Sequence, residues 1–166
     1  REGEEGKNKA VELEREFGGV FGDLVTTFHP DILGEVKGKS ANIAWAAKTA
    51  NEAIVKEKQL KVKYVTVTNE DADVVLAPQY FAYLTYAFIT HPDRYRVSYQ
   101  PIPVYNNNLW DAPAFSRVIA MGSTFWQMIE STRPERLVTF SSHSMTLKAL
   151  KDVGYWQKDI ISEDSR

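Results

Sequence analysis

A run rich in β-branched residues, Val62, Val65, Thr66, Val67 and Thr68, breaks directly into Asn69-Glu70-Asp71-Ala72-Asp73. Branching at Cβ disfavours a helix and suits a pleated, half-buried surface, so residues 62–68 are expected to form a strand. Its flanks carry helical signals. Ser40 can cap a helix over residues 41–58, with Ala44, Ala47 and Ile54 inward and the lysines outward. Pro78 suits the first turn of a helix reaching Thr90. Residues 95–104 are extended, and Pro101 and Pro103 confine them to a sheet edge. Phe115, Val118, Ile119, Gly122, Trp126 and Ile129 recur at helical spacing and are expected to form a core stripe. Short strands are expected at 21–28 and 137–140, a polar helix over 1–16, and a helix over 144–152 stopped by Gly154. This alternation predicts an α/β fold: a mostly parallel sheet with strand 62–68 inside it and helices 41–58 and 115–130 packed against it.

Composition narrows the function classes. The chain has 166 residues, enough for one core, and is expected to be a single domain spanning 1–166, incomplete at its ends. A formal net charge of -2 argues against a surface built to coat nucleic acid. Lys37, Lys48, Lys56, Lys58, Lys61 and Lys63 are interleaved with Glu52 and Glu57, as on a solvated helix face. Cysteine is absent, which excludes disulfides and thiolate metal sites. The longest apolar candidate, residues 80–90, is about half the ~18 residues of a membrane-spanning helix.

In layered α/β sheets, ligands bind beyond the carboxyl ends of strands. Asp71-Ala72-Asp73 stands at such an end. Carboxylates two apart on an extended segment point the same way and can hold a hard divalent cation through oxygen. An isolated Asp-x-Asp is more often a solvated turn. Lys39, at a helix start, can meet a phosphate where the helix dipole also favours anions. Tyr105-Asn106-Asn107-Asn108-Leu109-Trp110 sets amides between aromatic rings, a surface suited to sugars, with Asn107 and Trp110 its candidates. Ser141-Ser142-His143-Ser144 places serine beside histidine, but no Gly-x-Ser-x-Gly elbow accompanies it. His29, His91 and His143 lack zinc-ligand spacing.

Taken in order, these segments resemble the central and C-terminal part of the family 2 (GT-A type) inverting glycosyltransferases. The resemblance runs through Gly38-Lys39-Ser40-Ala41-Asn42, then the strand, Asp71-Ala72-Asp73 and the Pro78-headed helix. It continues through Ala149-Leu150-Lys151-Asp152-Val153-Gly154-Tyr155 to Ser162-Glu163-Asp164, covering about residues 34–164. It implies a GT-A-like fold and inverting hexosyl transfer from a nucleotide sugar to a saccharide or lipid-linked acceptor, in polysaccharide or glycolipid synthesis. Asp71 would then lie near the ribose, Asp73 would ligate Mg²⁺ or Mn²⁺ on the diphosphate, and Lys39 would approach that diphosphate. Asp164 would be the catalytic base, with Ser142, His143, Asn107 and Trp110 in the acceptor region. The enzyme is then expected in the cytoplasm, at the face of a membrane, without a nucleic-acid partner. Self-association through an uncovered sheet edge is expected. The family's earlier nucleobase-binding strands and its Gln-x-x-Arg-Trp segment have no counterpart in the chain. A metal-dependent phosphate-ester hydrolase and a non-catalytic sugar- or protein-binding module are the rival readings.

Overall fold

The computed structural model describes residues 3–133 and 142–159. They fall into two compact units. The first takes the described residues of Arg1–Lys61 and Trp156–Ile161, the second those of Val62–Tyr155. Both are described in turn.

The first unit is helical among its described residues. Helix α1 (Glu4–Phe17) is the polar helix the composition predicts, with Glu4 and Glu5 at its positive end and Arg15 in its last turn. Residues 21–28 form no strand among the described residues, which corrects the expected strand there. Helix α2 (Lys39–Ala50) continues into a widened π-helical stretch, Asn51–Lys56. There the Leu60 N–H donates to the Val55 carbonyl five residues back, at 2.8 Å. Ala41, Ala44 and Val55 are its buried apolar residues. Ser40 does not cap the helix. It lies within the first turn, 1% exposed, and its hydroxyl donates to the Gln157 carbonyl. The Val36 N–H also donates to the Lys158 carbonyl, at 2.8 Å, and the Lys158 ammonium to Glu35, so three bonds hold the 156–159 segment in this unit.

The second unit contains a three-stranded sheet. Strand β1 (Thr66–Thr68) pairs with β3 (Ser144–Thr146), and β3 pairs with β2 (Ser98–Tyr99), both antiparallel, in the order β1-β3-β2. This corrects the expected mostly parallel sheet. The molecule is mixed α/β, but the strand that a sequential reading leaves out has inserted between the other two. The 144–146 segment was expected to be helical. Instead Thr146 is the N-cap of α5 (Leu147–Asp152), accepting from the Ala149 N–H at 3.1 Å, and the residues before it pair on both sides. The helix start thus lies three residues later than the expected one, and the freed segment becomes the central strand.

The β-branched run also splits. Val62–Tyr64 forms one 3-10 turn, and only Thr66–Thr68 pairs, at an edge of the sheet. Strand β2 is the other edge, as Pro101 and Pro103 require. Helix α3 (Tyr80–Thr90) begins two residues after Pro78. The apolar core of the unit is Leu84 and Phe88 of α3 with Leu147 and Leu150 of α5. The expected strand at 137–140 lies outside the described residues.

Helix α4 (Ala114–Glu130) spans the expected residues, but its stripe is not core. Phe115 is 78% exposed, Val118 70% and Phe125 66%, and Ile119, Trp126 and Ile129 are exposed as well. Helical periodicity identifies a face, whereas only packing decides what covers it.

Candidate functional site

The pairing directions settle where side chains gather. Strands β1 and β2 both run opposite to β3, so they run the same way as each other. Their carboxyl ends and the amino end of β3 therefore meet at one end of the sheet. The segments there are 69–73, the residues after Tyr99, and Ser142-His143.

The ladder extends past β1 into this end. The Asn69 N–H donates to the His143 carbonyl at 3.0 Å, and the Ser142 N–H donates to the Asn69 carbonyl at 2.7 Å. Ser142 makes this bond with φ +73, a left-handed conformation uncommon outside glycine. Asn69, Ser142 and His143 are all buried, at 7%, 8% and 4% exposure. The two acceptor-region candidates Ser142 and His143 thus stand beside the head of the acidic segment, held by backbone bonds.

Beyond Glu70 the chain turns. The Val74 N–H donates to the Asp71 carbonyl at 3.1 Å and closes a turn over Ala72 and Asp73. The strand alternation expected to align the two carboxylates therefore does not apply; a turn presents them instead. Asp71 is half-buried and Asp73 is exposed. The Asn107 side-chain amide donates to the Asp73 carbonyl at 2.9 Å, which fastens the aromatic loop to the acidic turn. Trp110 is 80% exposed on a single 3-10 turn, Leu109–Asp111, with the Arg117 guanidinium 5.8 Å from its ring.

One face of the sheet is polar, and it is buried at the central strand. Register puts Thr66, Thr68, Ser144, Thr146 and Tyr99 on the same face, because paired residues share a side. Ser144 and Thr146 are fully buried. The Thr68 and Ser144 hydroxyls lie 2.8 Å apart, and the Tyr80 hydroxyl of α3 lies 3.2 Å from that of Ser144. It also donates to the Ser142 carbonyl, at 3.3 Å. Burial pushes the Tyr80 phenol above its ordinary range; the Ser144 bond opposes this and the Glu70 charge adds to it. Burial likewise raises the Tyr99 phenol, against the pull of Arg94.

The sequence expectations divide accordingly. Asp71, Asp73, Asn107, Ser142 and His143 belong to the segments that meet at this sheet end or are bonded to them. Lys39 opens α2 in the first unit, with Gly38 extended before it. Asp164 lies outside the described residues. No cluster of three or more metal-capable side chains occurs among the described residues. Asn69, Glu70, Tyr80, Tyr99 and Ser144 were missed as site residues. The acidic lead-in to the motif was the one signal that pointed at Glu70. No helix among the described residues is long and apolar enough to cross a membrane. The chain matches no known protein family, no curated protein and no solved structure.

Proposed function

We propose that the protein is an inverting glycosyltransferase of GT-A type that uses a nucleotide sugar. One observation carries this reading: the Asp71-Ala72-Asp73 turn leaves the carboxyl end of β1, and Asn107 bonds its backbone to an aromatic, amide-rich loop. An acidic turn suited to a cation and diphosphate and an amide-rich loop suited to a sugar are thereby joined at one end of the sheet.

The residues suit a hard cation. Asp71 and Asp73 offer carboxylate oxygens from one turn, and Mg²⁺-type ions are commonly held by one or two carboxylates together with substrate phosphates. When bound there, Mg²⁺ or Mn²⁺ would offset the charge that develops on a leaving nucleoside diphosphate. The chain's own part is positional. Asp73 projects from an exposed turn, and Asn107 holds that turn against the loop that ends in Trp110. Trp110 offers an exposed ring to a sugar face. His143 and Ser142 are buried at the same end of the sheet as the acidic segment. By the family resemblance, Asp164 would take the proton of the acceptor hydroxyl as it attacks, inverting the anomeric carbon in one displacement.

Calorimetry with UDP, GDP and dTDP in Mn²⁺ tests the donor half. Asp73→Asn is expected to remove metal-dependent binding. Asp164→Asn is expected to leave it intact while lowering transfer by ~10²–10⁴-fold. Parent-like binding and turnover in both variants would reduce the acidic motifs to solvated turns.

A further inference from the structure

Helix α4 is amphipathic in the inverted sense. Its polar side faces its own chain: Gln127 is buried, Arg117, Thr124 and Glu130 are half-buried, and the Tyr105 N–H donates to the Thr124 hydroxyl at 3.2 Å. Its apolar side faces out. Phe115, Val118, Ile119, Phe125, Trp126 and Ile129 are between 42% and 78% exposed. These six stand three, four and seven positions before Gly122 and three, four and seven after it. The stripe therefore reads the same from either end, with the helix's only glycine at its midpoint. A Cβ at Gly122 would meet nothing within 4 Å, so packing within the chain does not require a glycine there. In a helix interior that glycine costs about 1 kcal/mol relative to alanine.

We infer that α4 is the interface of a two-fold dimer, in which the outward stripe of one copy packs antiparallel against the same stripe of a second. A two-fold axis through Gly122 brings each residue before it to the height of the residue equally far after it on the other copy. Phe115 then lies level with Ile129, Val118 with Trp126 and Ile119 with Phe125. The two Gly122 residues cross on the axis, where the missing Cβ lets the backbones approach. The area fits the same occupant. With Met121 and Met128, which are also exposed, the outward side presents roughly 900 Å², taking ~200 Å² for a whole side chain of this size. A stable interface takes about 800 Å² per partner, whereas the largest apolar patch of an ordinary monomer is about 300–600 Å². Charge agrees. Arg117 and Glu130 lie off the stripe, so pairing buries no ion and opposes no like charges. A lipid surface is a poorer match, because interfacial helices hold headgroups with several Lys or Arg. The one Arg of α4 stands 5.8 Å from the Trp110 ring instead. This surface is a helix face, not a sheet edge, and does not depend on glycosyl transfer.

Sedimentation velocity of the full chain from about 0.1 to 100 μM should show a reversible monomer–dimer equilibrium with a micromolar Kd. Val118→Lys and Phe125→Lys set like charges against each other near the crossing and should stay monomeric throughout. At concentrations where the parent is monomeric, both should melt with it. Gly122→Ala should melt slightly higher there, because alanine favours the helix, yet its dimer should weaken roughly fivefold or more as the added methyls hold the backbones apart. Cysteine is absent, so single-cysteine variants report the register. Gly122→Cys should crosslink to itself under mild oxidation and Phe115→Cys should not, while Phe115→Cys mixed with Ile129→Cys should. A parent that is monomeric at about 100 μM overturns the proposal. So does a dimer that survives both lysine variants, which a sheet edge would then hold, or a Phe115→Cys that crosslinks to itself as fast as Gly122→Cys. If the lysine variants do not fold, the crosslinking pattern decides by itself.

Discussion

Single residues in this molecule differ sharply in how well their charge is met: the Glu70 oxygens have no hydrogen-bond partner among the described residues, whereas Glu35 is met by a cation. One Glu35 oxygen accepts from the Lys158 ammonium, and both side chains are largely shielded. The His29 Nε2 lies 3.0 Å from the other oxygen but off the hydrogen-bonding direction, so it contributes less. Lys158 is accordingly the main reason the Glu35 carboxyl is held below its usual range, against the opposing effect of burial. A carboxyl lowered on folding adds stability above its unfolded value, ~4.3, and loses that stability as pH falls through the folded value. Glu35→Gln is therefore expected to flatten the acid limb of a stability-versus-pH curve below about pH 4.5, with the neutral-pH melting temperature lower than the parent's. Urea melts at intervals from pH 2 to 7 would show it. An acid limb as steep as the parent's would deny Glu35 that part.

At the scale of elements, Thr146 has two tasks. Its hydroxyl caps α5 by accepting from Ala149, and it lies 3.3 Å from the Tyr95 carbonyl, to which it can donate. It is fully buried, so Thr146→Val keeps the volume but removes both bonds and leaves the Ala149 N–H without its cap. A loss of ~1–2 kcal/mol is expected in chemical denaturation. Helix α4 makes the opposite case. A stripe read from spacing as core would make Val118→Lys severely destabilising, yet Val118 is 70% exposed. The expected change is within about 0.5 kcal/mol, and a loss of several kcal/mol would restore the core reading. Element identity was legible for α1, α2, α3 and α4, because helix propensity, proline placement and apolar period act within one segment, although no side chain caps any of the four. The strand at 144–146 was not legible. Ser-Met-Thr before a helix reads locally as a cap, and only partners 76 and 46 residues away, Thr68 and Ser98, make it a strand.

At the scale of the whole chain, the balance of surface properties is visible. Net charge is -2 at pH 7 and the isoelectric point is about 6.0. Large apolar side chains are exposed in both units, from Leu33 in the first to Trp110, Phe115 and Phe125 in the second. Charge repulsion is what keeps such surfaces apart, and it vanishes near the isoelectric point. Solubility is expected to pass through a minimum near pH 6, read by turbidity from pH 4 to 9. Added salt should deepen association away from that minimum by screening the remaining charge. A solubility curve flat across that range would mean that the apolar faces are not what associates.

What the amino-acid sequence determined by itself was local: where most helices run and that 66–68 is extended, whereas the acidic segment, read as extended, is a turn. Those features depend on side-chain branching, apolar period and prolines within a few residues. The tertiary structure alone decided that the strands are antiparallel and that β3 sits between β1 and β2. That order makes β1 and β2 point the same way, so it is also what brings Asn69, Glu70, Ser142 and His143 to one end and gathers Thr68, Ser144, Tyr99 and Tyr80 on one polar face. Which side chains have no hydrogen-bond partner among the described residues, such as Asn69 and Glu70, depends on that pairing, because hydrogen-bond satisfaction is a property of neighbours in space.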